Sequence, residues 1–371
     1  MTTSYTLYAV EGSYYAAKAR CYLIQKDIPF KEVLADRHAF EETILPRVGF
    51  PIIPVLISPE DEVFQDTAVM LEMLEQRFSA NPILPTDPIC AFVSYLVELF
   101  ADEWFKIAAL HYRWHYDAEF AIRMMGENND PKLPHDEQLR IGGKIAKTFQ
   151  AWPKNLGVTD ITIPAVENSM RRYLQHLDQH FSKHPYLMGA QASLGDCALM
   201  GPLYAHLFHD PHSGQMMRRE SPNVCDWIAR MRETPTMPPT EANFVVSEHV
   251  IKLLNTIASD YIPMIADALA VADGYLSGNL PQDKPVPRYL GEHTFTLDRG
   301  EPNEASATRS VHTVEIWKLQ RLLTKFRSLQ SEEQKAINEF AKTIGCQELL
   351  ILNWRTDISY RDFRFWHTGN T

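Results

Sequence analysis

The stretch Gly12–Phe30, GSYYAAKARCYLIQKDIPF, constrains the amino-terminal fold more than any other part of the chain. Ahead of it, TLYAV from Thr6 to Val10 is rich in β-favouring residues, and Gly12 supplies a turn. From Tyr15 onward the period changes: Tyr15, Ala19, Tyr22 and Leu23 recur at helical spacing, while Lys18 and Arg20 fall on other faces. A strand, a tight turn and a helix are expected in succession, with Ser13 at the mouth of the helix. A hydroxyl beside the unpaired N–H groups of a helix start favours an anion. On local grounds alone, Ser13 also reads as an ordinary helix cap.

Phe50–Phe78, FPIIPVLISPEDEVFQDTAVMLEMLEQRF, reads as two β-segments, a turn and an amphipathic helix. Pro54 interrupts the apolar run Ile52–Ile57, which argues for an edge, a bulge or a special peptide bond. Asp66-Thr67 then opens a helix with a stripe of Leu71, Leu74 and Phe78. That position suits both a helix cap and the docking of an anionic ligand end. Far downstream, Ser193-Leu194-Gly195-Asp196 is a capping-box pattern before the apolar positions Ala198, Leu199, Pro202 and Leu203. Ser193 and Asp196 are assigned to folding.

Together, in this order, the three stretches resemble the glutathione transferase superfamily. SYYAAKAR is similar to its first-helix motif, the Asp66-Thr67 segment to its E-S-x-A-I text, and Pro185–Leu207 to the entry of its core helix. The resemblance implies an α+β fold: a thioredoxin-like domain, then an all-helical domain, here followed by a mixed, mainly helical extension. It also implies glutathione as co-substrate. The Ser13 hydroxyl would donate to its sulfur and favour the thiolate, the nucleophile. Tyr8 and Tyr14 stand as alternatives for that role. Pro54 would be cis, with the backbone of Ile53 pairing the cysteinyl part, and Asp66 and Thr67 would face the γ-glutamyl end. Asp for Glu keeps the charge on a shorter arm, and Thr for Ser keeps the hydroxyl. A homodimer is expected for this fold.

Composition sets the outer limits. A formal charge of −11 over 371 residues argues against a general nucleic-acid or anionic-membrane binder. The five cysteines are widely spaced with no C-x-x-C pair, so neither a disulfide framework nor a zinc site is suggested. No basic, apolar leader opens the sequence and no apolar run approaches a membrane span, so cytoplasm is the expectation. The prolines of Ala80–Pro88 end the first domain. The expected divisions are 1–80, thioredoxin-like; 81–89, linker; 90–235, all-helical; and 241–371, extension.

From Cys90 the periodicity is helical, broken by loops at Gly126–Asp136 and Pro153–Asp160, with helices at Val166–Phe181, Ser193–Phe208 and Val224–Arg232. TPTMPPT, Thr234–Thr240, should close the second domain. Beyond it, Val245–Leu276, Thr313–Leu329 and Glu332–Ile344 read as helices, Pro281–Pro287 as a loop, His293–Leu297 as a strand and Asp298–Ser306 as a polar turn region.

The second wall of a substrate cleft is expected from DEWFKIAALHYRWHYD, Asp102–Asp117. Trp104, His111, Tyr112 and Trp114 could stack on a flat electrophile, and Arg113 could hold a carboxylate. Interface packing is the structural alternative. His pairs at helical spacing lack a third ligand, and no metal is expected. The function expected is conjugation of glutathione to a hydrophobic or aromatic electrophile. The competing expectation is a non-catalytic interaction protein that keeps the fold and binds through its extension. Glutathione-dependent lyase or reductive chemistry would want a cysteine near Ser13, and Cys21 lies too far along the helix.

Overall fold

The structure is a computed structural model describing residues 4–233, 244–278 and 284–367. The break expected at Thr234–Thr240, and residues 281–283 of the Pro281–Pro287 loop, lie outside the described residues.

Strand β1 (Tyr5–Ala9) leads through the Gly12 turn into helix α1 (Tyr14–Gln25) and back to β2 (Phe30–Leu34), which pairs parallel with β1. Short helical turns over residues 37–48 connect to β3 (Val55–Ile57), β4 (Val63–Phe64) and α2 (Thr67–Arg77). Strand order is β2-β1-β3-β4, with β3 antiparallel to both neighbours. This is the expected thioredoxin-like arrangement. Alternation along β1 buries Tyr5, Leu7 and Ala9 in the main core, while Tyr8 turns to a satellite cluster of Ala35, Ile44, Val48 and Val55.

The helical domain opens with α3 (Pro88–Leu99), whose cap Asp87 accepts from the Cys90 N–H at 2.8 Å and whose first residue is proline. A wide turn, Phe100–Trp104, joins it to α4 (Lys106–His115). Next come the antiparallel pair α5 (Ala118–Asn129) and α6 (His135–Gln150), then α7 (Ile163–Phe181), α8 (Leu194–Pro202), α9 (Pro211–Glu220) and α10 (Pro222–Met231).

Gly126 was expected in a loop, yet it lies inside α5. A Cβ there would sit 1.9 Å from the Gln138 carbonyl oxygen, and one at Gly142 would sit 2.0 Å from that of Ile122. Reciprocal glycines let the two backbones touch, so glycine here marks a helix crossing rather than a chain break. The capping box is formed as expected: Asp196 accepts from the backbone and hydroxyl of Ser193, from Leu187 N and from Trp227 Nε1.

The extension consists of α11 (Glu248–Leu276), hairpin β5 (Tyr289–Leu297) with β6 (Ala305–His312), α12 (Thr313–Ser328), α13 (Ser331–Thr343) and a last hairpin, β7 (Ile358–Arg361) with β8 (Arg364–His367). It is no appended tail. Tyr261, Ile265, Ile316, Leu319 and Leu323 belong to the same continuous core as the other two units. No described helix is long and apolar enough to cross a membrane.

Candidate active site

Ser13 is the N-cap of α1, in extended conformation, and its hydroxyl makes no capping bond. The cap is therefore polar, half-buried and uncommitted. The turn before it is held from the helical domain. Arg113 of α4 donates to the Gly12 carbonyl at 3.1 Å, makes two 2.7 Å bonds to Asp210, and donates to the Ala205 carbonyl at 2.8 Å. Burial alone would raise the Asp210 carboxyl, but the Arg113 bonds bring it down to about 2.

The Ile53–Pro54 bond is cis. Continuing the β1/β3 register beyond Tyr8↔Val55 sets Ile53 beside Val10, next to the turn that carries Ser13. Continuing the β3/β4 register beyond Leu56↔Phe64 sets Pro54 beside Asp66. The continued register sets Ile53, Pro54 and Asp66 at one end of strands β1, β3 and β4, the end from which the turn to Ser13 leaves. Asp66 caps α2 through a 2.8 Å bond from Ala68 N and holds a positive φ of 66°. Burial raises its carboxyl, with Lys318 and Lys18 opposing that rise. Thr67 behind it is buried.

Neither tyrosine is placed like Ser13. Tyr14 donates its hydroxyl to the Ala101 carbonyl, and burial pushes its phenol well up. Tyr8 packs in the satellite cluster on the opposite face of the sheet.

The expected cleft wall departs from the sequence reading. Trp104 is buried between Tyr261 and Phe295 of the extension, ring centroids 5.8 and 5.7 Å away. His111 is buried and bonded to Glu167 at 3.0 Å, Tyr112 is buried against Met216, and Arg113 is spent on Asp210 and the Gly12 turn. The extension closes over a face that would otherwise be open, and the polar members find acids within the helical domain. Trp114 alone of the five is half-buried.

What sequence reasoning missed is a buried ionic chain beside the site. Lys18 of α1 bridges Glu98 and Asp102, both at 2.7 Å; Lys318 of α12 bridges Asp102 at 2.7 Å and Glu103 at 3.0 Å. Arg321 reaches Glu98 at 2.6 Å and Glu72 at 3.0 Å. Burial would raise Glu98 and Glu103. The cations win, holding Glu98 well below the usual carboxylate range and Glu103 at about 2. Lys18 was visible as a motif residue, but its partners lie 80 and 84 residues away. Among the described residues, no three His, Cys, Asp or Glu side chains gather as a metal would require.

A thioredoxin-like sheet with an uncommitted hydroxyl at its first helix, joined to a helical domain with a capped core helix, defines a transferase-type two-domain architecture. The sequence profile of the glutathione S-transferase N-terminal domain matches residues 7–82, and that of the C-terminal domain matches residues 159–235. Residues 7–82 and 159–235 thus belong to the glutathione S-transferase N-terminal and C-terminal domain families. Among solved structures it is similar to the β-etherase LigF from Sphingobium sp. strain SYK-6, at 17% identity and a TM-score of 0.45, covering 67% of this chain and 98% of that one. A glutathione S-transferase from Rhodospirillum rubrum F11 gives 18% identity, a TM-score of 0.40, and coverage of 67% and 99%. One from Methylobacterium radiotolerans, in complex with glutathione sulfonate, gives 17%, 0.38, and coverage of 66% and 97%. No curated protein sequence matches.

Proposed function

We propose that the chain binds glutathione across Ser13, Ile53, Asp66 and Thr67, holds its sulfur as a thiolate, and conjugates it to a hydrophobic or aromatic electrophile. The observation that carries this reading is the unspent hydroxyl of Ser13 at the start of α1, while the Tyr14 hydroxyl is bonded to the Ala101 carbonyl and the Tyr8 ring packs in the satellite cluster. A hydroxyl donor and the helix-start dipole both favour the ionised sulfur, and the protein's contribution is ionisation and positioning. No step needs a cysteine: Cys21 is fully buried and burial pushes its thiol up to about 12. Of the five residues expected along the electrophile wall, Trp114 is the one this reading keeps. Composition and family together support a cytoplasmic homodimer without metal, nucleic-acid or membrane partners.

Ser13→Ala tests the reading. The thiol pKa of bound glutathione, followed by thiolate absorbance, should rise, and turnover with a generic aryl halide should fall about tenfold, the worth of one hydrogen bond. Tyr8→Phe should change neither. Unchanged thiol pKa and turnover in Ser13→Ala would remove Ser13 from the mechanism.

A second reading, a non-catalytic interaction protein, is favoured by one observation: the extension contacts Phe50 and Gln65, next to the binding segments. Calorimetry at millimolar glutathione separates the two, since the interaction protein gives no heat.

A further inference from the structure

The chain's last hairpin turns through Asp362 and Phe363, which both hold positive φ, 50° and 58°. Two-residue hairpin loops with this backbone favour glycine at the second position. A phenylalanine in the left-handed region is conformationally costly, and such residues persist where their surroundings hold them. Here the surroundings belong to the other end of the chain. Phe363 packs against the satellite core of the amino-terminal domain, the cluster that also takes Phe50, Ile52 and Ile53.

Two further anchors flank it. The Arg364 guanidinium lies over the Phe50 ring, 4.5 Å from its centroid. The Tyr360 hydroxyl lies on Gln65, 3.1 Å from its carbonyl oxygen and also against its side-chain oxygen. Gln65 immediately precedes Asp66, and Phe50 opens the loop that ends at the cis Ile53–Pro54 bond. The hairpin therefore ties together the two backbone segments on which the glutathione reading depends. Its own support comes from behind, where Tyr360 and Phe365 pack on Trp317 of α12, with ring centroids 5.7 and 5.4 Å away.

We propose, resting on that glutathione reading, that the hairpin Ile358–His367 is an autoinhibitory strap. Closed, it bridges the cis-proline loop and the Asp66 turn. A glutathione-sized peptide that must pair with the backbone of Ile53 and reach Asp66 and Thr67 spans the same gap, so the strap lifts before it binds. The strap is built to lift. Arg361, Asp362 and Arg364 at its tip are exposed; the contacts described on the amino-terminal side are one half-buried ring, one cation–π contact and one phenol. Its base, by contrast, is fixed to the extension by the buried Ile358, whose N–H donates to Gln320 at 2.8 Å, and by the Phe365 carbonyl, which accepts from Val286 N at 2.8 Å. Weakly held elements are those that open first. Apparent affinity then falls by the fraction of molecules that are open.

Phe363→Gly in the full chain tests this, because glycine suits the turn and leaves the hairpin formed while removing its anchor. Amides of residues 50–53 and 65–67 should exchange faster than in the parent, and glutathione should bind about tenfold tighter by calorimetry, for a strap closed roughly nine-tenths of the time. Tyr360→Phe should move both readouts in the same direction by a smaller factor. Unchanged exchange, or glutathione affinity equal to or below the parent's in both variants, overturns the strap. Faster exchange with no glutathione binding in any of the three proteins shows that the hairpin clasps these segments, but overturns the glutathione reading and with it the autoinhibitory role.

Discussion

Arg113 shows how far a residue's chemistry can be read without its partners. In sequence it stands among aromatic residues and histidines, an arrangement suited to holding a carboxylate. It does hold one, but the carboxylate is Asp210, 97 residues away, and its other donors go to the Gly12 carbonyl in the turn beneath Ser13 and to the Ala205 carbonyl. The helix starts at Ser13 and Asp66 and the cis bond before Pro54 were legible because each belongs to a short local motif; the partner of Arg113 was not, because only the fold supplies it. Removing one member of a buried pair leaves the other charge uncompensated. Arg113→Met should destabilise the protein by about 3–5 kcal/mol. Urea unfolding would measure it, and adding Asp210→Asn should recover part of the loss by removing the stranded charge. If the double variant is no more stable than the single, the pair is not what holds this turn.

At the scale of elements, helices declared themselves by period, whereas of the later strands only the His293–Leu297 part of β5 did. The segment ASATRSVH of β6 is short on β-branched and aromatic residues and becomes a strand by pairing with β5. In β7 and β8, ISYRDFRFWH carries no Asn-Gly or Gly-rich turn signal, since Phe occupies the position glycine would take. Likewise, α12 buries Ile316, Leu319 and Leu323 in the core, but its docking to α3 and the turn after it is also ionic, which its sequence alone does not show. Lys318 and Arg321 meet acids that burial alone would neutralise. Glu98 and Glu103 are depressed below their ordinary value near 4.5, so their stabilisation is present above that pH and is lost as pH falls toward about 2. Lys318→Met removes one of the cations responsible. It should cost about 2–4 kcal/mol at pH 7, and the gap between variant and parent should narrow as pH drops below 4.5. Denaturant unfolding from pH 7 to pH 3 gives both numbers, and a gap that stays constant with pH would show that Lys318 acts by packing rather than charge.

Over the whole molecule, acid sensitivity should begin well above the carboxylate range, because several histidines are buried neutral at the junction with the extension. His180 lies between Ser247 and the Tyr186 carbonyl, with both contacts at 2.9 Å, and burial lowers it to about 4. His293 and His312, on β5 and next to α12, are lowered by burial to about 4 and about 2, with Arg309 adding to each and Lys106 to His312. Unfolded, all three would take up a proton near pH 6.5. Between that pH and about 4 the unfolded chain binds more protons than the folded one, so stability falls as pH is lowered through this window. For a histidine held near 4, the loss by pH 5 is roughly 2 kcal/mol. The urea midpoint should therefore drop between pH 7 and pH 5, before Glu98 and Glu103 begin to titrate. His180→Gln removes one contributor while keeping groups that can bond Ser247 and the Tyr186 carbonyl, so its midpoint should fall less over the same interval. A variant whose midpoint tracks the parent at every pH would mean that His180 is already protonated in the folded protein, and the extension's attachment would then have to be acid-stable.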